Sequence, residues 1–218
     1  MSLEHAHPVI LGDCVLSSDA TIDPFCVIGY VGDEADVKEH QKGLTTEIGA
    51  HVRIGPFATI YAGARLHENV KLDPYVRIGR NTDVGAGTAV LYGSRVHDDV
   101  QIGTGCIIAG NVSNRVKIGS RVMHHGRLAH RYNRPHAEWH QTDEPSMVIE
   151  DDVVVGAGSI LVGDIRIGEK SYIAAGEIVR EDVPPFSVYY KGRAVPAKDW
   201  RGTLSVAGFW GTPLGQDR

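Results

Sequence analysis

The chain has 218 residues, 42% of them hydrophobic, which suffices for one sizeable core but leaves no room for a separate catalytic domain. Its net charge is only −5 and it has no basic run, which argues against a nucleic-acid surface. No apolar stretch reaches membrane-spanning length, residues 1–8 lack a signal-peptide core, and the three cysteines suit a reducing compartment, so a soluble cytoplasmic protein is expected.

A six-residue repeat begins close to the N-terminus. Residues 10–27 form three hexads that open on Ile10, Leu16 and Ile22, and the pattern continues into Ile28. Residues 31–47 lack this spacing and are highly charged. They are therefore predicted to be a loop inserted at a corner of the repeat.

The repeat is clearest from residue 48 onwards, where ten consecutive hexads each open on an aliphatic residue. The openers are Ile48, Ile54, Ile60, Leu66, Leu72, Ile78, Val84, Val90, Val96 and Ile102. A smaller or β-branched residue follows four positions after each of them, from Val52 to Cys106. A period of six suits neither an α-helix nor a simple strand, but it is typical of solenoids. It predicts a triangular β-prism with one hexad per face, in which residues such as Ile54, Ile60, Leu72, Ile78 and Val84 are buried.

Beyond Cys106 the pattern is less regular. It slips by two residues and resumes at Val112 and Ile118. The next hexad would open on His124, and because histidine is no core aliphatic the repeat is predicted to stop there. Residues 131–147 are predicted to be a second insertion, after which hexads return from Ile149 until Pro184. About seven to eight coils are expected. Residues 1–198 would form one β-helix domain, and residues 199–218 a C-terminal tail.

The hexads, together with the segments GAGSI, EDVPP and VPAK, resemble the hexapeptide-repeat acyltransferases, and most closely their sugar and xenobiotic acetyltransferases. The resemblance implies an all-β fold, the left-handed parallel β-helix; the handedness rests on the resemblance because parallel crossovers are generally right-handed. It also implies a homotrimer with active sites between subunits. Acetyl-CoA or another acyl-CoA would be the co-substrate, and no metal would be required.

Five of the eleven histidines lie between residues 124 and 140. His130-Arg131 resembles the His-Arg pair that precedes an extended loop in these acetyltransferases, which implies that His130 is the general base. Two extra residues precede the pair here, so His125 and His124 remain alternatives. Histidine suits the role because its pKa lies near neutrality. The candidates for binding the acceptor are Arg131, Tyr132, His136 and Trp139, although His136 could equally be a solvated loop residue.

The resemblance also implies that coenzyme A lies along the C-terminal coils. Narrow backbone at glycine and alanine positions would admit the pantetheine chain, and basic side chains would bind the phosphates. The candidates are Gly158, Ser159, Ala174, Ala175, Arg180, Lys191, Arg193 and Lys198. Glu177 conflicts with the pattern because it occupies a corner position that holds smaller residues elsewhere. A buried carboxylate is costly, so a local bulge that turns Glu177 outward is expected.

Three classes of function remain: the acyltransferase, a γ-class carbonic anhydrase with zinc bound by histidines, and a non-catalytic scaffold. His125 and His130 have the five-residue separation of the zinc ligands, but Ser120 occupies the hexad position from which that pair should start. The acyltransferase is therefore favoured. The expected acceptor is an amine or hydroxyl of a sugar or nucleotide sugar, with antibiotics and other small amines as the alternative.

Overall fold

A computed structural model of the protein describes residues 7–32, 43–131 and 146–201. Short strands in these ranges form three sheets, and nearly every strand pairs in parallel with the strand three places further along the chain. The sheets are the three faces of a left-handed parallel β-helix, as the sequence and its resemblance predict.

The first face has nine strands within the described residues, stacked in chain order. They are β1 (Val9–Ile10), β4 (Val27–Tyr30), β7 (Thr59–Tyr61), β10 (Arg77–Ile78), β13 (Arg95–Val96), β16 (Asn111–Val112), β19 (Arg127–Ala129), β22 (Ile160–Val162) and β25 (Ile178–Val179).

The second face has eight strands within the same ranges. They are β2 (Cys14–Leu16), β5 (Thr46–Ile48), β8 (Arg65–Leu66), β11 (Asp83–Val84), β14 (Gln101–Ile102), β17 (Lys117–Ile118), β20 (Val148–Ile149) and β23 (Arg166–Ile167).

The third face has ten described strands, of which only β27 is antiparallel. They are β3 (Thr21–Ile22), β6 (Arg53–Ile54), β9 (Lys71–Leu72), β12 (Ala89–Val90), β15 (Ile107–Ile108), β18 (Met123–His124), β21 (Val154–Val155), β24 (Tyr172–Ile173), β26 (Ser187–Tyr190) and β27 (Arg193–Pro196). A short 3₁₀ helix, Ala197–Asp199, follows β27.

The aliphatic residue that opens each hexad points into the prism. Ile54, Ile60, Leu72, Ile78 and Val84 are at most 3% exposed, which confirms the predicted frame. The smaller residues fill the corners, and the polar ones among them make hydrogen bonds to the next coil. The hydroxyl of Thr82 donates to the carbonyl of His97 at 2.8 Å, and that of Thr88 donates to the carbonyl of Gly103 at 2.9 Å. Their burial therefore leaves no hydroxyl unsatisfied.

Two successive corners between the third and first faces are two residues shorter than the others. Gly110 occupies one corner and Gly126 the next. A Cβ atom on Gly110 would overlap the carbonyl of Gly126, and one on Gly126 would lie 2.7 Å from the carbonyl oxygen of Ser159. Because the coils approach so closely, both positions require glycine.

The prediction that the repeat stops at His124 is wrong. His124 lies in β18 with its side chain inside the prism, in register with Ile108 on one side and Val155 on the other. The shortened corner then brings Leu128 to the first face, where it is buried. The coil is thus complete. The strands of the described residues form eight complete three-sided coils, β1–β24, within the seven to eight expected, and β25 and β26 begin a further layer.

Both predicted insertions are slightly too long. The first, 31–47, overlaps β5, which begins at Thr46. The second, 131–147, includes Met147, which is buried in the core. Residues 33–42 and 132–145, which make up most of these segments, lie outside the described residues, as do residues 202–218 of the predicted tail.

Glu177 departs from the predicted outward bulge. Its strand neighbour Ile178 keeps regular register with Ile160, and the side chain of Glu177 is half-buried. The carboxylate accepts hydrogen bonds from the amides of Lys191 at 2.8 Å and Gly192 at 3.0 Å. These two residues form the tight turn between β26 and β27. The corner tolerates a carboxylate because it is hydrogen-bonded to this hairpin.

Candidate active site

His130 lies at the corner that follows β19, directly after Ala129. The carbonyl of Ala129 accepts a hydrogen bond from the amide of Gly163 on the next coil at 2.9 Å, so the backbone just before His130 is fixed in the ladder. His130 itself is half-buried. Arg131 is exposed and lies beside Gly163 of the next coil, where an added Cβ atom would be 3.7 Å from the Cβ of Arg131. This corner is therefore a fixed part of the prism at the edge of the second insertion.

His125 lies on the same coil but at a different corner. It follows β18 on the third face, and its backbone amide donates to the carbonyl of Val155 at 2.9 Å. Its side chain is half-buried. The whole of β19 separates it from His130, so the structure does not bring these two histidines together.

His124 is fully buried among aliphatic side chains, and neither ring nitrogen makes a hydrogen bond. Burial lowers its pKa to about 4, and the backbone of Asn111 opposes the shift only in part. The ring is therefore neutral near pH 7 and enclosed by the prism. This placement removes His124 from the candidate bases, because a substrate outside the prism has no access to it.

The predicted coenzyme A residues divide into two groups. Gly158, Ala175 and Arg180 are exposed, as are Lys191, Arg193 and Lys198 around the hairpin and the 3₁₀ helix. Ala174 and Ser159 are buried, and the hydroxyl of Ser159 donates to the carbonyl of Gly156 at 2.7 Å. The side chain of Ser159 points inward and cannot contact a ligand, which corrects that expectation. Of the predicted acceptor-binding residues, Arg131 is described, whereas Tyr132, His136 and Trp139 lie outside the described residues.

A column of polar residues that was not predicted from the sequence lies on the outside of the first face. Arg77, Arg95, Asn111 and Arg127 occupy equivalent outward positions on four successive coils. Each stands directly before an inward aliphatic residue. Reading that one hexad position along the chain would have revealed the column.

A groove of about 400 Å³ lies on the second face, but no predicted site residue lines it. Its lining includes the carboxylates Glu150, Asp151 and Glu169 as well as Lys117. Three acidic side chains against one lysine make it unsuitable for a phosphate-bearing ligand. Among the described residues, no three histidine, cysteine, aspartate or glutamate side chains are grouped as a metal site.

Comparison with known proteins identifies the repeat. Residues 45–80 match the family model "Bacterial transferase hexapeptide (six repeats)", and residues 147–180 match "Hexapeptide repeat of succinyl-transferase". The solved UDP-N-acetylglucosamine acyltransferase of Francisella novicida superposes with a TM-score of 0.68 over 88% of this chain and 68% of that chain, at 19% identity. The chain belongs to the hexapeptide-repeat family.

Further similar proteins extend the comparison. The UDP-N-acetylglucosamine O-acyltransferase of Moraxella catarrhalis has a TM-score of 0.55 over 82% of this chain and 70% of that chain, at 14% identity. In sequence, the bifunctional protein GlmU of Clavibacter sepedonicus is 30% identical over 183 residues, which are 81% of this chain and 31% of that protein. GlmU of Burkholderia vietnamiensis is 31% identical over 179 residues, which are 80% and 34%. The chain thus spans about a third of the length of these curated relatives.

In this hexapeptide-repeat protein, no helix within the described ranges has the length and hydropathy needed to cross a membrane.

Proposed function

We propose that the protein is an acyltransferase that moves an acyl group, acetyl in the first instance, from acyl-CoA to an amine or hydroxyl of a sugar or nucleotide sugar. The observation that carries the proposal is the placement of His130, half-buried outside the apolar interior at a corner next to the second insertion. The names of the relatives and neighbours, which include UDP-N-acetylglucosamine acyltransferases, support this class of reaction.

In the proposed reaction His130 is the general base. One ring nitrogen accepts the proton of the acceptor N–H or O–H while the acceptor attacks the thioester carbonyl. The tetrahedral oxyanion is stabilised by a backbone N–H in the cleft. As the C–S bond breaks, the imidazolium returns the proton to the departing thiolate. The thioester is already activated, so no nucleophilic serine or cysteine of the protein takes part.

His130 is preferred to the two alternatives on position and surroundings. His124 is enclosed by the core and unable to reach a substrate. His125 is half-buried at the corner that follows the third face, whereas His130 and Arg131 lie at the corner that follows the first face. His130 combines partial exposure with a fixed backbone and an adjacent arginine, as a positioned base requires.

The donor is proposed to lie toward the C-terminal coils, where Arg180, Lys191, Arg193 and Lys198 are all exposed. The hairpin that presents Lys191 and Arg193 is held by Glu177 through two backbone amides. These basic residues would therefore meet the coenzyme A phosphates from a fixed turn rather than a loose loop.

A homotrimer is part of the proposal, since a flat-faced prism needs a neighbour to form a cleft. The outside of the third face supports contact between chains. Ile107, Met123, Val154 and Tyr172 occupy successive outward positions there, and Met123 is 40% exposed. Such an unbroken apolar column is costly in water and favours burial against a second chain.

The function can be tested by measuring thiol release from acetyl-CoA and longer acyl-CoAs. The acceptor panel would contain amino-sugar nucleotides, hydroxylated sugars and small amines. Acceptor-dependent release of coenzyme A is expected with at least one sugar. The proposal would be abandoned if no acceptor on the panel stimulated release and the protein failed to bind coenzyme A.

A further inference from the structure

The outward column of the first face has an arginine on three of four successive coils and an asparagine on the other. Arg77 pairs in register with Arg95, Arg95 with Asn111, and Asn111 with Arg127. Neighbouring coils are about 4.8 Å apart, so Arg95 and Arg127 stand about 10 Å apart with Asn111 between them. Both arginines are exposed.

The second face provides an internal comparison. Its outward column contains Glu47, Arg65 and Asp83 on successive coils, so the charges alternate. Arg65 contacts Glu47 at 3.4 Å and Asp83 at 3.5 Å. The same fold thus places opposite charges side by side on one face and like charges side by side on the other. Like charges directly opposite each other on paired strands are destabilising unless something compensates for them.

Only the first arginine of the basic column is compensated within the described residues. Arg77 contacts Asp98 at 3.5 Å, and its guanidinium lies 4.3 Å from the centre of the Tyr61 ring. Arg95 and Arg127 form no ion pair with any residue that the structure describes. Their charges are therefore available to an external anion.

Asn111 completes a set of hydrogen-bond donors. Nε2 of His97 lies 3.0 Å from Oδ1 of Asn111, and with a proton on that nitrogen the amide oxygen accepts, leaving the Asn111 amide N–H groups to donate elsewhere. Burial, followed by the charge of Arg77, lowers the pKa of His97 and keeps the ring neutral. The column consequently offers donors rather than carboxylates at the surface.

We propose that Arg95, Asn111 and Arg127 bind a phosphate or diphosphate group of the acceptor. Arginine matches phosphate oxygens in a bidentate geometry, and Asn111 supplies a donor between the two guanidinium groups. Arg127 precedes His130 by three residues on the same coil, so the site lies about 10 Å from the base. An acceptor bound there by its diphosphate would extend its sugar toward His130.

The position of the column favours the acceptor over coenzyme A. Arg95 and Asn111 lie on coils N-terminal to that of His130, whereas the exposed basic residues proposed for the donor lie on the C-terminal side. The two groups of positive charge flank His130 from opposite directions along the prism. This assignment rests on the proposed transferase function and names the chemical class of its acceptor as a phosphate-bearing sugar.

Calorimetric titration of the whole protein with UDP-N-acetylglucosamine and, separately, with coenzyme A tests the site. The variants are Arg95→Gln and Arg127→Gln, with Arg65→Gln as the control because it changes the equivalent outward position on the second face. We expect each test variant to raise the Kd for the nucleotide sugar by about tenfold or more, because a charge-assisted bidentate contact is lost. The control should bind like the wild type, and added salt should weaken wild-type binding more than binding by the variants.

Unchanged nucleotide-sugar affinity in both variants would overturn the proposal, as would a wild type that does not bind the nucleotide sugar. A loss confined to coenzyme A would overturn the assignment to the acceptor. Failure of the transferase proposal is distinguishable, because nucleotide-sugar binding that depends on Arg95 and Arg127 without any thiol release would sustain the site while contradicting the reaction.

Discussion

At the scale of single residues, His124 is unusual because it is an ionisable side chain that is fully buried in the core. An imidazole with two unpaired nitrogens occupies a position where neighbouring coils have isoleucine and valine. Burying a polar group without a partner costs free energy, so the rest of the prism must compensate for it. The residue is tolerated because the ring stays neutral.

His124 should make the protein sensitive to mild acid. Its folded pKa of about 4 lies below the ordinary value of 6.5, so the unfolded chain binds a proton that the folded chain excludes. Its contribution to stability is then complete above pH 6.5 and is lost as the pH falls from 6.5 toward 4. The lowered pKa corresponds to a loss of about 3 kcal/mol in the free energy of unfolding as the pH falls over that range.

Replacing His124 with isoleucine should remove this sensitivity and stabilise the protein by about 1–3 kcal/mol at pH 7, because no unpaired nitrogen is then buried. Denaturant unfolding of wild type and variant at pH 7.5 and pH 5 measures the difference. His51→Asn is a suitable control, since His51 is exposed and its positive φ of 57° suits asparagine. An equal loss of stability on acidification in wild type and His124→Ile would contradict this account.

At the scale of elements, the shortened corners determine where the coil carrying His130 lies. Gly126 follows His125 and precedes β19, so its close contact with the coil of Ser159 positions the strand that leads to His130. A wider corner would push β19 out of register with β22.

Gly126→Ala should therefore destabilise the protein by about 1–3 kcal/mol, the usual cost of overpacking. The added methyl would meet the Ser159 carbonyl at 2.7 Å and Cγ1 of Val155 at 3.0 Å. Thermal and denaturant unfolding would measure the loss. The matched control is Gly87→Asn, where nothing lies within 4 Å and a φ of 69° suits asparagine. If Gly126→Ala unfolded like the control, the corner would not be closely packed.

The same corners explain what the sequence could and could not predict. The hexad frame correctly predicts the burial of Ile54 and Val84, because within a strand the direction of a side chain follows from its position alone. It fails at His124 and Leu128 because corner length depends on contacts between coils, such as those of Gly110 and Gly126, and not on neighbouring residues in sequence.

Prediction of the site was limited in a similar way. His130-Arg131 could be identified by resemblance, since a short motif survives in the linear sequence. Ser159 was assigned to the cofactor although it stands four residues after Val155, a position that the frame itself places at an interior corner. Glu177 could not be understood from sequence, because the amides that bind it belong to a hairpin fourteen residues further on.

At the scale of the whole molecule, the three faces differ in what they present to the outside. The first face carries the basic column, the second carries paired charges, and the third is apolar from Ile107 to Tyr172, on the coils that follow the basic Arg53 and Lys71. Because exposed apolar side chains favour burial, assembly is expected to occur through the apolar part of the third face. The basic column of the first face would then remain accessible to a ligand.

Met123→Glu should therefore dissociate the proposed homotrimer. A carboxylate would be buried in the contact without a partner, which disfavours association. Sedimentation at micromolar concentration should give a trimer for the wild type and a smaller species for the variant. Gln101→Glu introduces the same charge at an exposed outward position of the second face and should remain trimeric. A monomeric wild type would remove the argument for a cleft shared between chains.

The proposed role of His130 as the general base is tested most directly by the pH dependence of kcat in His130→Ala. With the best acceptor from the panel, kcat should fall by about 10²- to 10⁴-fold, and the acidic limb of the wild-type profile should disappear. Coenzyme A affinity and assembly should not change, because the core does not depend on this side chain. His125→Ala serves as the matched control on the same coil. Near-normal turnover in His130→Ala, with the acidic limb retained, would contradict the account.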